Sequence, residues 1–165
     1  MTTPVAILMG SDSDFERLEP AVKTLREHGV DPVVRVLSAH RTPAEACQFA
    51  ESARENGFRV LICAAGGAAH LAGVIAAHTS LPVIGIPLDN APLGGLDALL
   101  ATVQMPGGVP VATVGAGRGG PINAALLAIR ILGVADPDFA KRMDDFRTQQ
   151  HDRVLEKDAA IQARL

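Results

Sequence analysis

Short apolar runs recur along the chain, and each is followed by small or polar residues and then by a stretch with helical spacing. The first run is Val5 to Met9. Gly10-Ser-Asp-Ser-Asp14 follows it, and a helix is predicted from about Phe15 to His28, with Gly29 ending it and Ser13 and Glu16 spaced as a capping box. The second run, Val33 to Leu37, delivers Ser38, His40 and Arg41 to its carboxyl end. Thr42-Pro43-Ala44-Glu45 then opens a helix to about Asn56: Thr42 can cap, Pro43 suits the first helical position and Glu45 completes a second capping box. Val60 to Ala64 is the third run; it leads through Ala65-Gly-Gly-Ala-Ala-His70 into a helix from Leu71 to His78. Leu81 to Pro87 supplies a fourth strand, followed by a turn-rich loop from Leu88 to Gly95 and a short helix from Leu96 to Val103. A break at Gln104 to Gly108 precedes a fifth strand, Val109 to Val114, and a helix from Pro121 to Leu132.

Strands that are apolar without alternation are buried on both faces, which calls for a parallel sheet covered by helices on each side. The expected fold is therefore α/β, a three-layer parallel sheet in the flavodoxin-like order 2-1-3-4-5. Asp136 and Pro137 start a last helix that can run to about Ala163, roughly 40 Å long at 1.5 Å per residue. Phe139, Met143, Phe146, Gln150 and Val154 repeat along one side of it. A small domain cannot cover that whole stripe, so the long C-terminal helix is expected to make oligomer contacts. The chain is expected to be one domain over 1–165, an α/β core over 1–135 followed by the helix over 136–165.

Composition narrows the class. With 165 residues, 48% of them hydrophobic, the chain can bury one good core. A net charge of -3, 3% aromatic content and no Trp or Tyr argue against a nucleic-acid partner. Cys47 and Cys63 have no metal-ligand or CxxC spacing and read as buried free thiols of a reducing cytoplasm. No signal peptide and no membrane-spanning run is recognised, so a cytoplasmic protein with no membrane partner is expected.

Candidate chemistry collects at the strand ends, where open α/β sheets bind ligands. Gly10 to Asp14 can cradle a phosphate at a helix start, with one Asp turned to sugar hydroxyls. Ala65 to His70 lets a ligand approach the backbone closely. His40 supplies an imidazole for proton transfer beside Arg41, which pairs with anions. The three lysines, Lys23, Lys141 and Lys157, all fall on predicted helices, which disfavours a Schiff base or a P-loop. No GxSxG, HExxH or Cys/His cluster occurs. Gly115 to Gly120 satisfies GxGxxG but lacks the acidic residue at the end of a second strand that dinucleotide binding needs. His28, His78 and His151 read as surface or helix-end histidines. What remains can hold a sugar phosphate and move a proton without a cofactor.

Five segments in order, Gly-Ser-Asp-Ser-Asp, Ser-Ala-His-Arg-Thr-Pro, Ala-Gly-Gly-Ala-Ala-His-Leu, Gln-Met-Pro-Gly-Gly and Asn123-Ala-Ala-Leu-Leu-Ala, closely resemble the PurE family of purine biosynthesis over nearly the whole chain. The Gly-Gly-Ala-Ala-His stretch resembles its mutase class, which rearranges N5-carboxyaminoimidazole ribonucleotide, rather than the sister carboxylases that take carbon dioxide directly. The resemblance implies His40 as general acid/base. It implies Ser11, Ser13, Ser38 and Arg41 at the phosphate and Asp14 at the ribose. Ala65, Gly66, Gly67, Ala68, His70 and Leu71 would then line the carboxylate and carbon dioxide pocket. It further implies a small-molecule ribonucleotide substrate, no metal, biotin or nucleotide cofactor, and a homo-octamer. Ala72 stands where a Pro is usual, and the loops Asp89 to Pro92 and Gly115 to Gly120 are atypical. A direct carboxylase, or a non-catalytic nucleotide-binding module, is the other reading.

Overall fold

The computed structural model describes residues 3–165. Strand β1 (Val5–Met9) lies between β2 (Val33–Val36) and β3 (Val60–Gly66), and β4 (Val83–Leu88) and β5 (Ala112–Thr113) follow outward. All neighbours are parallel, in the order β2-β1-β3-β4-β5, the flavodoxin-like order expected from the apolar runs.

The unbroken apolar character of the central strands has its reason in the layers. Val5, Ile7 and Met9 of β1 face one side, with α1 (Phe15–Glu27), α5 (Gly119–Gly133) and the start of α6 (Pro137–Gln162) over them. Ala6 and Leu8 face the other side, under α2 (Pro43–Ser52) and α3 (Leu71–Ala77). Ile7, Leu8, Leu61, Ile62, Ile84 and Ile86 are fully buried. Removing one such side chain to Ala costs about 2–5 kcal/mol. Helix α4 (Leu96–Val103) packs through Ala98 and Thr102, leaving Leu96, Leu100 and Val103 about half exposed.

Element ends differ from the expected ones where side chains found other partners. The Ser13–Glu16 capping box does not form: a 3-10 turn over Asp12–Asp14 precedes α1, and the capping oxygen is Ser11 Oγ, accepting from the Ser13 amide at 3.4 Å. Thr42 does not cap α2; its hydroxyl accepts from the Ser38 amide at 2.8 Å and donates to the Ser38 carbonyl at 3.2 Å. Strand β5 pairs over two residues only, because Pro110 has no N–H to donate to a ladder. Strand β3 runs on to Gly66, two residues past the apolar run.

Helix α6 is 26 residues long and starts under an Asp136 cap whose carboxylate accepts from the Asp138 amide at 3.0 Å. Its first turns dock: Met143 is buried, Phe139 and Phe146 pack on the core, and Arg142 donates to the His28 carbonyl. From Arg147 onward every residue is exposed, including Val154, Leu155 and Ile161. His28, expected at a helix end or the surface, does end α1 but is buried in this joint; its Nδ1 lies 2.8 Å from the Thr24 carbonyl and its ring meets Phe146 edge-on. No helix among the described residues is long and apolar enough to cross a membrane.

Candidate active site

All five strands end on one side of the sheet, and the loops after β1, β2, β3 and β4 close around a polar cavity of about 250 Å³. A parallel sheet sends every carboxyl end the same way, so residues 80 apart in sequence meet there.

After β1, Ser11 and Ser13 form a linked hydroxyl pair, Ser13 Oγ donating to Ser11 Oγ at 2.9 Å. Asp14 sits beside them, half-buried, and loss of water raises its pKa above its ordinary value. Nearby Asp12 adds to the rise, while a backbone hydrogen bond at Ser11 and the Arg17 charge oppose it. After β2, Ser38 Oγ accepts from the amides of His40 and Arg41 at 3.3 and 3.2 Å, leaving its own hydrogen for a ligand. The Thr42–Ser38 bonds clamp this loop from its far end. Arg41 is held against the first loop by donating to the Gly10 carbonyl at 3.0 Å.

After β3, the chain turns through Gly67 at φ +60°, a conformation that favours glycine. His70 follows at the start of α3. His40 Nε2 and His70 Nδ1 are 2.8 Å apart with the rings perpendicular at 87°. One of these nitrogens carries the hydrogen and the other accepts it. After β4, Asp89 and Asn90 are both gripped by Arg17 of α1, whose Nη1 donates to Asp89 Oδ1 at 2.8 Å and to Asn90 Oδ1 at 2.9 Å.

The cavity brings together Ser11, Ser13, Asp14, Ser38, His40, Arg41, Ala65, Gly66, Ala68, His70 and Leu71. Gly67 is not on its wall; it makes the turn. The structure adds Gly10, Ala39 and Asn90. The first two are neighbours of expected residues. Asn90 gave no sequence signal beyond its place after a strand. The Gly115 to Gly120 loop lies outside the cavity; Gly117 and Arg118 line an adjacent groove with Arg17 and Asp89. Of the two cysteines expected to be buried, Cys47 on α2 is only half-buried, and Cys63 is buried in β3, where burial pushes its thiol pKa up and keeps it protonated. It takes no part in the cavity.

This geometry can hold a phosphorylated sugar by hydroxyls and one guanidinium, present an imidazole to a bound ring, and shelter a small group against Gly66 and Ala68. Known proteins resemble this chain over nearly its whole length. A family model described as AIR carboxylase matches residues 4–153. The N5-carboxyaminoimidazole ribonucleotide mutase of Bacillus subtilis (strain 168) is 51% identical over 152 residues, which are 92% of this chain and 94% of that protein. The Escherichia coli (strain K12) protein of the same name is 50% identical, over 92% and 90%. The crystal structure of Treponema denticola PurE superposes with a TM-score of 0.85 at 27% identity, covering 94% of this chain and 96% of that one. A match this long in both sequence and backbone means that the chain belongs to the AIR carboxylase family.

Proposed function

We infer that this chain is an N5-carboxyaminoimidazole ribonucleotide mutase acting in purine biosynthesis, an enzyme of the isomerase class. The observation that carries the reading is His40, an imidazole flanked on one side by the hydroxyl loops and on the other by the small-residue loop, in a chain half identical to proteins of that name over nine-tenths of its length.

In the reaction, the N–C bond of the carbamate breaks, giving carbon dioxide and aminoimidazole ribonucleotide. The ring carbon then bonds to the trapped carbon dioxide and gives up its proton, while the exocyclic nitrogen gains one. Atoms and charge balance within the substrate, so the chain's residues need only bind, shelter and move a proton. His40 is the general acid/base that takes the proton from the ring carbon. Ser11, Ser13, Ser38 and Arg41 bind the phosphate, and Asp14 accepts from the ribose hydroxyls. Ala65, Gly66, Gly67, Ala68, His70 and Leu71 form the carboxylate end, Gly67 by shaping the loop. The reading takes 1–165 as one domain, working in the cytoplasm without metal or cofactor. Its oligomer is a homo-octamer, supported by the uncovered half of α6 and by the bare Leu96, Leu100 and Val103 of α4.

The test is a paired assay without added metal or nucleotide. One reaction receives N5-carboxyaminoimidazole ribonucleotide, the other aminoimidazole ribonucleotide with bicarbonate and carbonic anhydrase. Fast formation of 4-carboxy-5-aminoimidazole ribonucleotide from the first alone is expected. Efficient use of the second at low bicarbonate would make the protein a direct carboxylase, and no product from either would leave a binding module. In the same assay His40→Asn should lower kcat by about 10²–10⁴-fold with nucleotide binding retained.

A further inference from the structure

We propose that Asn90 is a specificity-determining contact, its side-chain N–H groups donating to the carboxylate that distinguishes the substrate from decarboxylated nucleotide. The proposal rests on the mutase reading above.

Asn90 stands two residues beyond β4, next to the end of β3, where Gly66 pairs with Leu88. Its side chain crosses to Gly66 so closely that a Cβ on Gly66 would overlap the amide nitrogen. It is half-buried and on the wall of the cavity that holds His40 and His70. An amide in such a place has two orientations, and Arg17 decides between them. A guanidinium has only donors, so the atom that Arg17 Nη1 meets at 2.9 Å is the amide oxygen. The nitrogen therefore faces Gly66 and the cavity. Its two N–H groups find no acceptor among the described residues, so a ligand can take one at no cost to an existing bond.

The position selects the carboxylate over the phosphate. The phosphate is assigned to the hydroxyls after β1 and β2, whereas Asn90 lies over Gly66 in the loop that leads to His70. The chemistry fits as well. The group there begins as a carbamate, passes through neutral carbon dioxide and ends as a carboxylate. A neutral amide can bind both anions without trapping either as a lysine would. Arg17, bonded to the amide oxygen, polarises the N–H groups while staying one residue back from the ligand.

Asn90→Asp keeps the size and removes the donors, placing an acceptor against the carboxylate. The experiment measures KM for N5-carboxyaminoimidazole ribonucleotide and Kd for aminoimidazole ribonucleotide, which lacks that group. For Asn90→Asp, KM should rise about 10- to 100-fold, the range for a lost hydrogen bond to a charged group. Kd for the decarboxylated nucleotide should stay within about twofold. Asn90→Ala should rise less, since it loses the donors without adding repulsion, and Arg17→Met less again. Equal weakening of both ligands, or no change in either, would overturn the proposal, because a merely structural Asn90 does not tell them apart. Wild-type protein run alongside separates the two claims: if it fails to turn over the carbamate, the mutase reading falls; if it works and Asn90→Asp equals it, only the Asn90 assignment falls.

Discussion

At the scale of single residues, the site trades stability for binding. In its proposed role Asp14 accepts from a ligand's hydroxyls, and without ligand its partial burial favours the protonated form. Its folded pKa lies above the ordinary value, so the folded chain holds a proton that the unfolded chain has lost. The stabilisation this gives is complete below the ordinary Asp range and is lost as pH rises through the folded value, leaving the charged group a net cost at neutrality. Asp14→Asn should therefore raise the Tm of ligand-free protein at pH 7, with the gain shrinking toward about pH 3.5. The same variant should lose about tenfold or more in kcat/KM by giving up charge-assisted hydrogen bonds. Scanning calorimetry at the two pH values, with the mutase assay beside it, checks both signs. A lower Tm at neutral pH would mean that the charged form is well served in the folded chain.

Among the elements, the approach of α5 to the sheet depends on one glycine. A Cβ at Gly120 would run into the Gly115 carbonyl, whereas one at Gly119 meets open space. Gly120→Ala should destabilise by about 1–3 kcal/mol through overpacking. Gly119→Ala should be neutral or slightly stabilising, since Ala is the better helix former. Urea midpoints at constant slope measure the contrast. The GxGxxG pattern over Gly115 to Gly120 thus reads as close packing at its last glycine. Elements were legible wherever apolar periodicity was long: all five strands and the six α-helices lie where the pattern put them. What the pattern missed lies at the ends. Pro110 removed most of the fifth strand's ladder. The hydroxyls of Ser13 and Thr42 bonded within the site loops, where sequence spacing suggested capping boxes. The cavity's first three loops were readable because each carries its chemistry in consecutive residues after a strand. Asn90 was not, because its meaning comes from Arg17 and Gly66, which are distant in the chain.

For the whole molecule, α6 divides into a half that belongs to the core and a half that has nothing beneath it. A chain ended at Asp136 would lose Met143 and the Phe146–His28 joint and so confuse folding with assembly. A chain ended at Gln149 removes only exposed turns. It should keep its far-UV circular dichroism per remaining helix and form a smaller assembly by light scattering. An unchanged assembly would take the distal half of α6 out of the proposed subunit contacts.

The interior position of β1, between β2 and β3, has a consequence for synthesis. This strand leaves the ribosome first, yet its partners arrive much later: β2 begins at Val33, and β3 is complete only at Gly66. At about 5–20 residues per second, the 57 residues from Met9 to Gly66 (66 − 9) take about 3–11 s. Through that interval Val5 to Met9, an uninterrupted apolar pentapeptide, travels with at least one edge unpaired. The strand that anchors the finished sheet is thus the nascent chain's most exposed adhesive segment, and the one a chaperone has most reason to hold.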